Sequence, residues 1–277
     1  MQPRQSEAPN DAPDLIPAKS PEIDTDEATY LPAEVPSAME GINWWCYTVL
    51  GLLFLTDFTP LGPVLLQGGR DAGLYLCAVQ WGLFVLPTLN YCRERGWDLR
   101  RVLRLRPCGP SWLMAAAIAA RTGLDIAQLA GLGPELSAAA APDDAGATAT
   151  AAAAATATAG LLFGDLLQRP DDPGQWLRVL ATSALSPAMA EELLYRGFLL
   201  TALQQRLGAV DAVAVTAALF AVAHLSLPQF FAFVLLGGCA GGLVLGSGSV
   251  VPAVLAHAAY NTTGIAVGVA LTMGFGR

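Results

Sequence analysis

Apolar stretches of helix length follow one another along most of this chain, and they restrict what it can fold into. Residues 72–91 match the length of a transmembrane helix, about 20 predominantly apolar residues. Other apolar stretches begin near Ile42 and at residue 110, and four more follow in close succession: 176–204, 209–226, 229–247 and 250–273. We therefore predict an all-α fold, a polytopic transmembrane helical bundle of seven or eight spans in a lipid bilayer.

The charged residues are few and unevenly distributed. The chain is 54% hydrophobic and 14% charged, whereas soluble proteins carry about 25% charged residues. Nine acids lie in the first forty residues: Glu7, Asp11, Asp14, Glu22, Asp24, Asp26, Glu27, Glu34 and Glu40. This stretch is also rich in proline and lacks the apolar surface that offsets the entropy of ordering. We predict that residues 1–40 form a disordered acidic tail, and the absence of a basic groove argues against a nucleic-acid partner.

A short basic segment indicates the orientation in the membrane. Residues 93–106 hold six of the 15 basic residues and separate two apolar stretches. Short Arg-rich loops of this kind remain in the cytoplasm, which places the N-terminus there too, two crossings earlier. A patch that binds lipid headgroups or nucleic acid is the alternative interpretation. The excess of Arg over Lys and the abundance of Ala favour a bacterial gene, so the predicted location is a bacterial cytoplasmic membrane.

The rest of the chain divides into three parts. Residues 41–135 are predicted to be N-terminal transmembrane helices around the 93–106 loop, with Arg121 and Asp125 four residues apart and able to pair. Residues 136–175 are rich in Ala and Thr and form either a linker or a weakly apolar span. This alternative decides between seven and eight spans. Residues 176–273 form a C-terminal helical core.

Ionisable residues interrupt the first apolar stretch of that core. Glu191 and Glu192 are adjacent, so their side chains lie roughly 100° apart around a helix. Glu192 and Arg196 are four residues apart and can pair along one face, which would leave Glu191 free to face a cavity. A solvated amphipathic surface helix is the alternative, although the flanking segments are strongly apolar.

Both histidines of the chain fall in later apolar stretches of the same core. His224 lies near the end of one stretch, four residues after Phe220, and His257 precedes Asn261 by four residues on another. Taken singly, a helical histidine is more often a packed, hydrogen-bonded residue than a catalytic one. Polar groups within apolar spans are costly and therefore indicate function by default, and the joint pattern is more specific than any of its parts.

The order of these motifs resembles that of a known family. Glu191-Glu192-x-x-x-Arg196, Phe220-x-x-x-His224 and His257-x-x-x-Asn261 are similar to the motifs of the CPBP family, the CAAX-protease and bacteriocin-processing (Abi) group, over about residues 176–270. The resemblance implies an intramembrane glutamic endopeptidase without cofactor or metal. It implies that Glu191 and His224 activate a water, that His257 and Asn261 stabilise the oxyanion, and that Glu192 and Arg196 support this geometry.

Other functions remain open at this point. Two histidines and a glutamate are also a zinc-ligand set, so a metal-dependent variant is an alternative. A non-catalytic immunity or scaffold protein of the same fold is another, and a proton-coupled transporter is a third, suggested by Arg121, Asp125 and the two glutamates. The predicted partner is a peptide or protein substrate at the membrane, and the sequence carries no signal of oligomeric state.

Overall fold

All regular secondary structure in the described part of the chain is helical. The computed structural model describes residues 35–60, 72–129, 166, 169–227 and 229–273, which belong to one compact unit. The predicted tail up to residue 34 and most of the predicted 136–175 linker lie outside these residues, as do the side chains of Arg121 and Asp125. The all-α prediction is confirmed for the described ranges, whereas the number of spans stays a prediction.

Apart from one short helix inside the Arg-rich segment, the described helices agree closely with the apolar stretches of the sequence. In chain order they are α1 (Ala38–Phe58), α2 (residues 72–94), α3 (Leu99–Val102), α4 (Pro110–Leu129), α5 (residues 173–203), α6 (Ala209–Ala223), α7 (Phe230–Ser247) and α8 (Val251–Thr272). α1 starts before the apolar run because Ser37 and Glu40 form a capping box, in which each side chain bonds the backbone N–H of the other.

Two of the described helices are long and apolar enough to cross a membrane, namely Gly73–Glu94 and Phe230–Ser247. Only 22% and 39% of their apolar windows are buried inside the protein, unlike the core helices of soluble proteins. Large apolar side chains are also exposed along the outer faces of other helices, among them Tyr47, Leu50, Phe54 and Phe58 on α1. Exposed apolar surface of this extent is typical of contact with lipid.

Proline explains two wide turns within the long helices. α2 contains a π-helical turn, Trp81–Val85, just before Pro87, and α5 contains another, Leu180–Leu185, just before Pro187. A proline ring clashes with the carbonyl four residues earlier and offers no N–H to it. The wider turn relieves this clash, and the N–H of Ser186 bonds the carbonyl five residues back, on Ala181.

Small residues let α7 approach its neighbours closely. α7 packs against α4, α5, α6 and α8. A Cβ at Gly241 would lie 2.6 Å from Val213 on α6, and a Cβ at Gly237 would lie 2.9 Å from the Ala217 Cα on the same helix. Such contacts place α7 within the bundle and bring α6 and α8 to the side of α5.

The Arg-rich loop connects the ends of α5 and α8. Arg104 adopts a positive φ of 53°, and its side chain donates to Thr201 Oγ1 (3.1 Å) and to Gln204 at the end of α5. Its carbonyl accepts from the N–H of Val250 (3.1 Å), and Ser249 Oγ donates to the Arg106 carbonyl (2.6 Å). The loop therefore fixes the two helices that carry most of the predicted site.

Candidate active site

The two adjacent glutamates of α5 have different environments, as their angular separation predicts. Glu192 is 0% exposed and its Oε1 accepts a hydrogen bond from Arg196 NH1 at 2.9 Å, also at 0% exposure. Glu191 does not share this ion pair and is partly exposed. Arg196 thus compensates the charge of one carboxylate, and the second remains available for chemistry.

His257 is held by the same buried carboxylate. Its Nδ1 lies 2.8 Å from Glu192 Oε1, and the residue is 3% exposed. An ionised carboxylate can only accept, so Nδ1 carries the hydrogen. The other ring nitrogen, Nε2, therefore points away from Glu192, and it lies 3.8 Å from Glu191 Oε2.

His224 approaches Glu191 from the end of α6. Its Nδ1 donates to the Phe220 carbonyl at 2.8 Å, which leaves Nε2 as the acceptor of the neutral ring. This Nε2 lies 3.9 Å from Glu191 Oε2. The imidazole stacks on the Phe233 ring with centroids 4.0 Å apart. The His224 side chain is 27% exposed against 4% for that of His257, so the site opens on the His224 side.

The two oxygens of Glu191 differ in their surroundings. Oε1 accepts a hydrogen bond from Gln80 Nε2 of α2 at 3.1 Å. Oε2 is buried and has no hydrogen-bond partner among the described residues, although two imidazole nitrogens lie within 4 Å of it. A buried acceptor between two ring nitrogens is suited to bind a small donor such as water.

Asn261 lies at the edge of this group. It is one helical turn after His257 on α8, and its Nδ2 donates to the Ala184 carbonyl of α5 at 3.4 Å. This bond is long, and it directs the amide to the backbone of α5. The structure therefore brings Glu191, Glu192, Arg196, His224 and His257 together, whereas the catalytic roles implied for them and for Asn261 stay predictions.

Aromatic rings pack against the charged groups of the site. Phe220 lies beneath the Arg196 guanidinium, 4.7 Å from its ring centroid, and meets the His257 ring edge-on at 5.5 Å. Tyr195, next to Arg196, accepts a hydrogen bond from Trp45 Nε1 of α1 at 3.1 Å. These contacts form a low-dielectric wall, in which interactions between charges are stronger than in water.

The described residues contain no group of three or more His, Cys, Asp and Glu side chains arranged to hold a metal ion. Glu192 and the Nδ1 of His257 are already bonded to each other. The two imidazole Nε2 atoms both lie within 4 Å of Glu191 Oε2, close enough for these groups to share a water.

Gln80 is the contact that the sequence motifs miss, because it lies 111 positions before Glu191 on a helix outside the C-terminal core. A signal exists all the same, since Gln80 is a polar residue in the middle of the apolar stretch 72–91. A polar side chain in a membrane span is costly, so Gln80 indicates a function for the same reason as the two glutamates.

Comparison with known proteins finds a family match in the part of the chain that carries most of the candidate site. Residues 173–263 match the sequence model of a family described as Rce1-like, type II CAAX prenyl endopeptidase. The match covers α5, α6, α7 and the first half of α8, and it confirms the family resemblance seen in the motifs. No curated protein and no solved structure matches the chain.

Proposed function

We propose that this chain is an intramembrane endopeptidase, in line with the protease family that residues 173–263 match, and that Glu191 and His224 activate the attacking water. One observation carries the proposal: the buried, unpartnered Oε2 of Glu191 lies 3.9 Å from His224 Nε2 and 3.8 Å from His257 Nε2. These three atoms are contributed by three different helices. At these distances they form no hydrogen bonds with one another.

The spacing suits one water molecule. Glu191 Oε2 and His224 Nε2 are both acceptors when the carboxylate is ionised and the ring is neutral, so they repel unless a donor lies between them. A water at about 2.8 Å from each would subtend an angle of roughly 90° across the 3.9 Å gap. Both of its hydrogens are then directed at bases, and an oxygen lone pair is free to attack.

The reaction follows as a general-base hydrolysis. The water transfers a proton to Glu191 Oε2 while its oxygen bonds to the carbonyl carbon of the scissile peptide. The tetrahedral intermediate then collapses, the C–N bond breaks, and Glu191 returns the proton to the leaving nitrogen. The products are a carboxylic acid and an amine, which become a carboxylate and an ammonium by proton exchange, and Glu191 is regenerated as the ionised base.

His257 is the proposed donor to the oxyanion. Its Nδ1 is bonded to Glu192, so Nε2 donates when the ring carries two protons. In that form the two carboxylates are balanced by Arg196 and His257, and the buried cluster has no net charge. Donors fixed in position before reaction, in a site that excludes bulk water, contribute strongly to catalysis of acyl transfer. Asn261, one turn along α8, is the proposed second donor.

The proposed substrate is a peptide segment at the membrane. The name of the matched family refers to CAAX prenyl endopeptidases, and for this chain we propose a substrate of that kind or a leader peptide of a membrane-associated protein. The more exposed His224 marks the side from which the scissile bond would enter, next to the apolar ring of Phe233.

The test is cleavage of a fluorogenic prenylated or leader peptide by purified protein in lipid nanodiscs. Glu191→Gln and His224→Ala should each lose at least 100-fold in kcat/KM while keeping the fold. Glu94→Gln makes the same chemical change at an exposed position of α2 and should leave turnover unchanged. Equal turnover by the wild type and either site variant would reject the proposal and favour a non-catalytic role.

A further inference from the structure

We propose that Gln80 is a positioning residue for the reaction, which holds the Glu191 carboxylate so that Oε2 alone faces the water. The inference rests on the proposed function of this site. Gln80 is 6% exposed, and its Nε2 donates to Glu191 Oε1 at 3.1 Å. It lies on α2, outside the segment that matches the protease family.

The helix that carries Gln80 is aligned with α5 by a series of contacts. A Cβ at Gly73 would lie 2.5 Å from Thr182 Oγ1, which shows how closely the two helices approach there. One turn later, Cys77 Sγ donates to the Thr182 carbonyl at 3.2 Å. Trp81 Nε1 then donates to Ser186 Oγ at 2.9 Å. Gln80 lies on the same face of α2, directly before the π-helical turn Trp81–Val85.

The hydrogen bond removes the equivalence of the two carboxylate oxygens. In an ionised carboxylate either oxygen can take the proton from water, and rotation of the carboxylate exchanges them. A donor on Oε1 lowers its basicity and stops the rotation, so the proton is taken up on Oε2, which lies near both imidazoles. The same oxygen is then in place to return the proton to the leaving nitrogen.

The orientation of the Gln80 amide follows from the same chemistry. Its carbonyl would repel an ionised Glu191, so the NH₂ group faces the carboxylate. The Gln80 Oε1 atom is consequently buried and has no hydrogen-bond partner in the described part of the chain. An unpartnered buried acceptor destabilises the fold, which a leucine of similar volume would avoid. Gln80 therefore carries a cost in stability that packing of α2 against α5 does not require.

The experiment compares Gln80→Leu and Gln80→Glu with a control on the same helix. Gln80→Leu keeps the volume and removes the donor, so kcat should fall about 10- to 100-fold with KM unchanged. In Gln80→Glu the donor exists only when the new side chain is protonated, so its activity relative to wild type should recover as the pH falls. Thr88→Val removes the bond that Trp44 Nε1 donates to Thr88 at 2.7 Å; it should lower the melting temperature and leave kcat unchanged.

Several outcomes would overturn the inference. A rise in KM with kcat unchanged would make Gln80 a substrate-binding residue. Equal kcat in Gln80→Leu and wild type, or loss of kcat to the same extent in Thr88→Val, would make the bond structural only. Failure of Gln80→Glu to recover at low pH, while Gln80→Leu is impaired, would also contradict a role as donor.

The inference can fail separately from the proposed function. If the wild type does not cleave any substrate, the proposed function fails. The hydrogen bond between Gln80 and Glu191 can still be tested by thermal unfolding of the variants in a double-mutant cycle. Gln80→Leu should change the melting temperature by a different amount in a Glu191→Ala background than in wild type, because the partner of its amide is gone. Additive effects would show that Gln80 and Glu191 do not interact, and the inference would then be wrong.

Discussion

Removal of the Arg196 guanidinium should destabilise this protein more than most single substitutions. In Arg196→Met the buried Glu192 keeps one partner, the Nδ1 of His257 at 2.8 Å, and loses the other at 2.9 Å. Breaking one side of a buried ion pair costs about 3–5 kcal/mol. We expect a cost near 3 kcal/mol, because Arg196 Nε and NH2 have no hydrogen-bond partners among the described residues. The substitution therefore also removes two unsatisfied buried donors, which offsets part of the loss.

A loss of about 3 kcal/mol is a large part of the 5–15 kcal/mol that stabilises a typical protein. For a chain of 277 residues it corresponds to a fall of roughly 5 °C in the melting temperature, because the entropy of unfolding is about 2.1 cal/mol/K per residue. Thermal unfolding in detergent, followed by intrinsic tryptophan fluorescence, measures this shift. Arg206→Met removes an exposed arginine just after α5 and serves as the control, with an expected change within about 0.5 kcal/mol.

The double variant Glu192→Gln/Arg196→Met separates charge from packing. It leaves no buried charge without a partner, so we expect it to recover more than half of the lost stability. Catalysis should remain impaired, because a neutral amide holds the Nδ1–H of His257 less strongly than the Glu192 carboxylate does. A melting temperature of Arg196→Met equal to that of wild type would refute the buried pair, and so would a double variant less stable than Arg196→Met.

Two further predictions concern the environment of the site. Gly237→Ala should cost about 1–3 kcal/mol, because the added Cβ would lie 2.9 Å from the Ala217 Cα and 2.9 Å from Arg196 NH2. Gly238→Ala has open space around its Cβ and should be nearly neutral, so equal melting temperatures for the two variants would contradict the packing of α7. Proteolysis should survive dialysis against a strong chelator, with no stoichiometric metal in elemental analysis; loss of activity restored by zinc would establish the metal-dependent alternative instead.

Much of the candidate site is predictable from the sequence because of helical periodicity. Residues four apart on a helix share a face, so the pairing of Glu192 with Arg196 follows from their spacing and from the cost of an isolated charge in an apolar environment. The separation of about 100° between adjacent helical residues also predicts that Glu191 stays outside this ion pair. Contacts between helices have no such regularity: nothing in the spacing indicates that His257 bonds Glu192 rather than Glu191.

The contribution of α2 is hidden for a related reason. Gln80 reaches Glu191 only because two helices far apart in the sequence cross at Gly73 and Thr182, and single-helix patterns carry no information on such crossings. The π-helical turns before Pro87 and Pro187 also change the direction in which later side chains point. The prolines are visible in the sequence, but their effect on the turn depends on the packing around them.

The most direct test of the account is an experimental structure of the wild-type protein in lipid, at a resolution that shows ordered water. We predict density for one water within about 3.2 Å of both Glu191 Oε2 and His224 Nε2, with Gln80 bonded to the other carboxylate oxygen. A separation of more than about 6 Å between these two atoms, or a metal ion bound at that position, would contradict it.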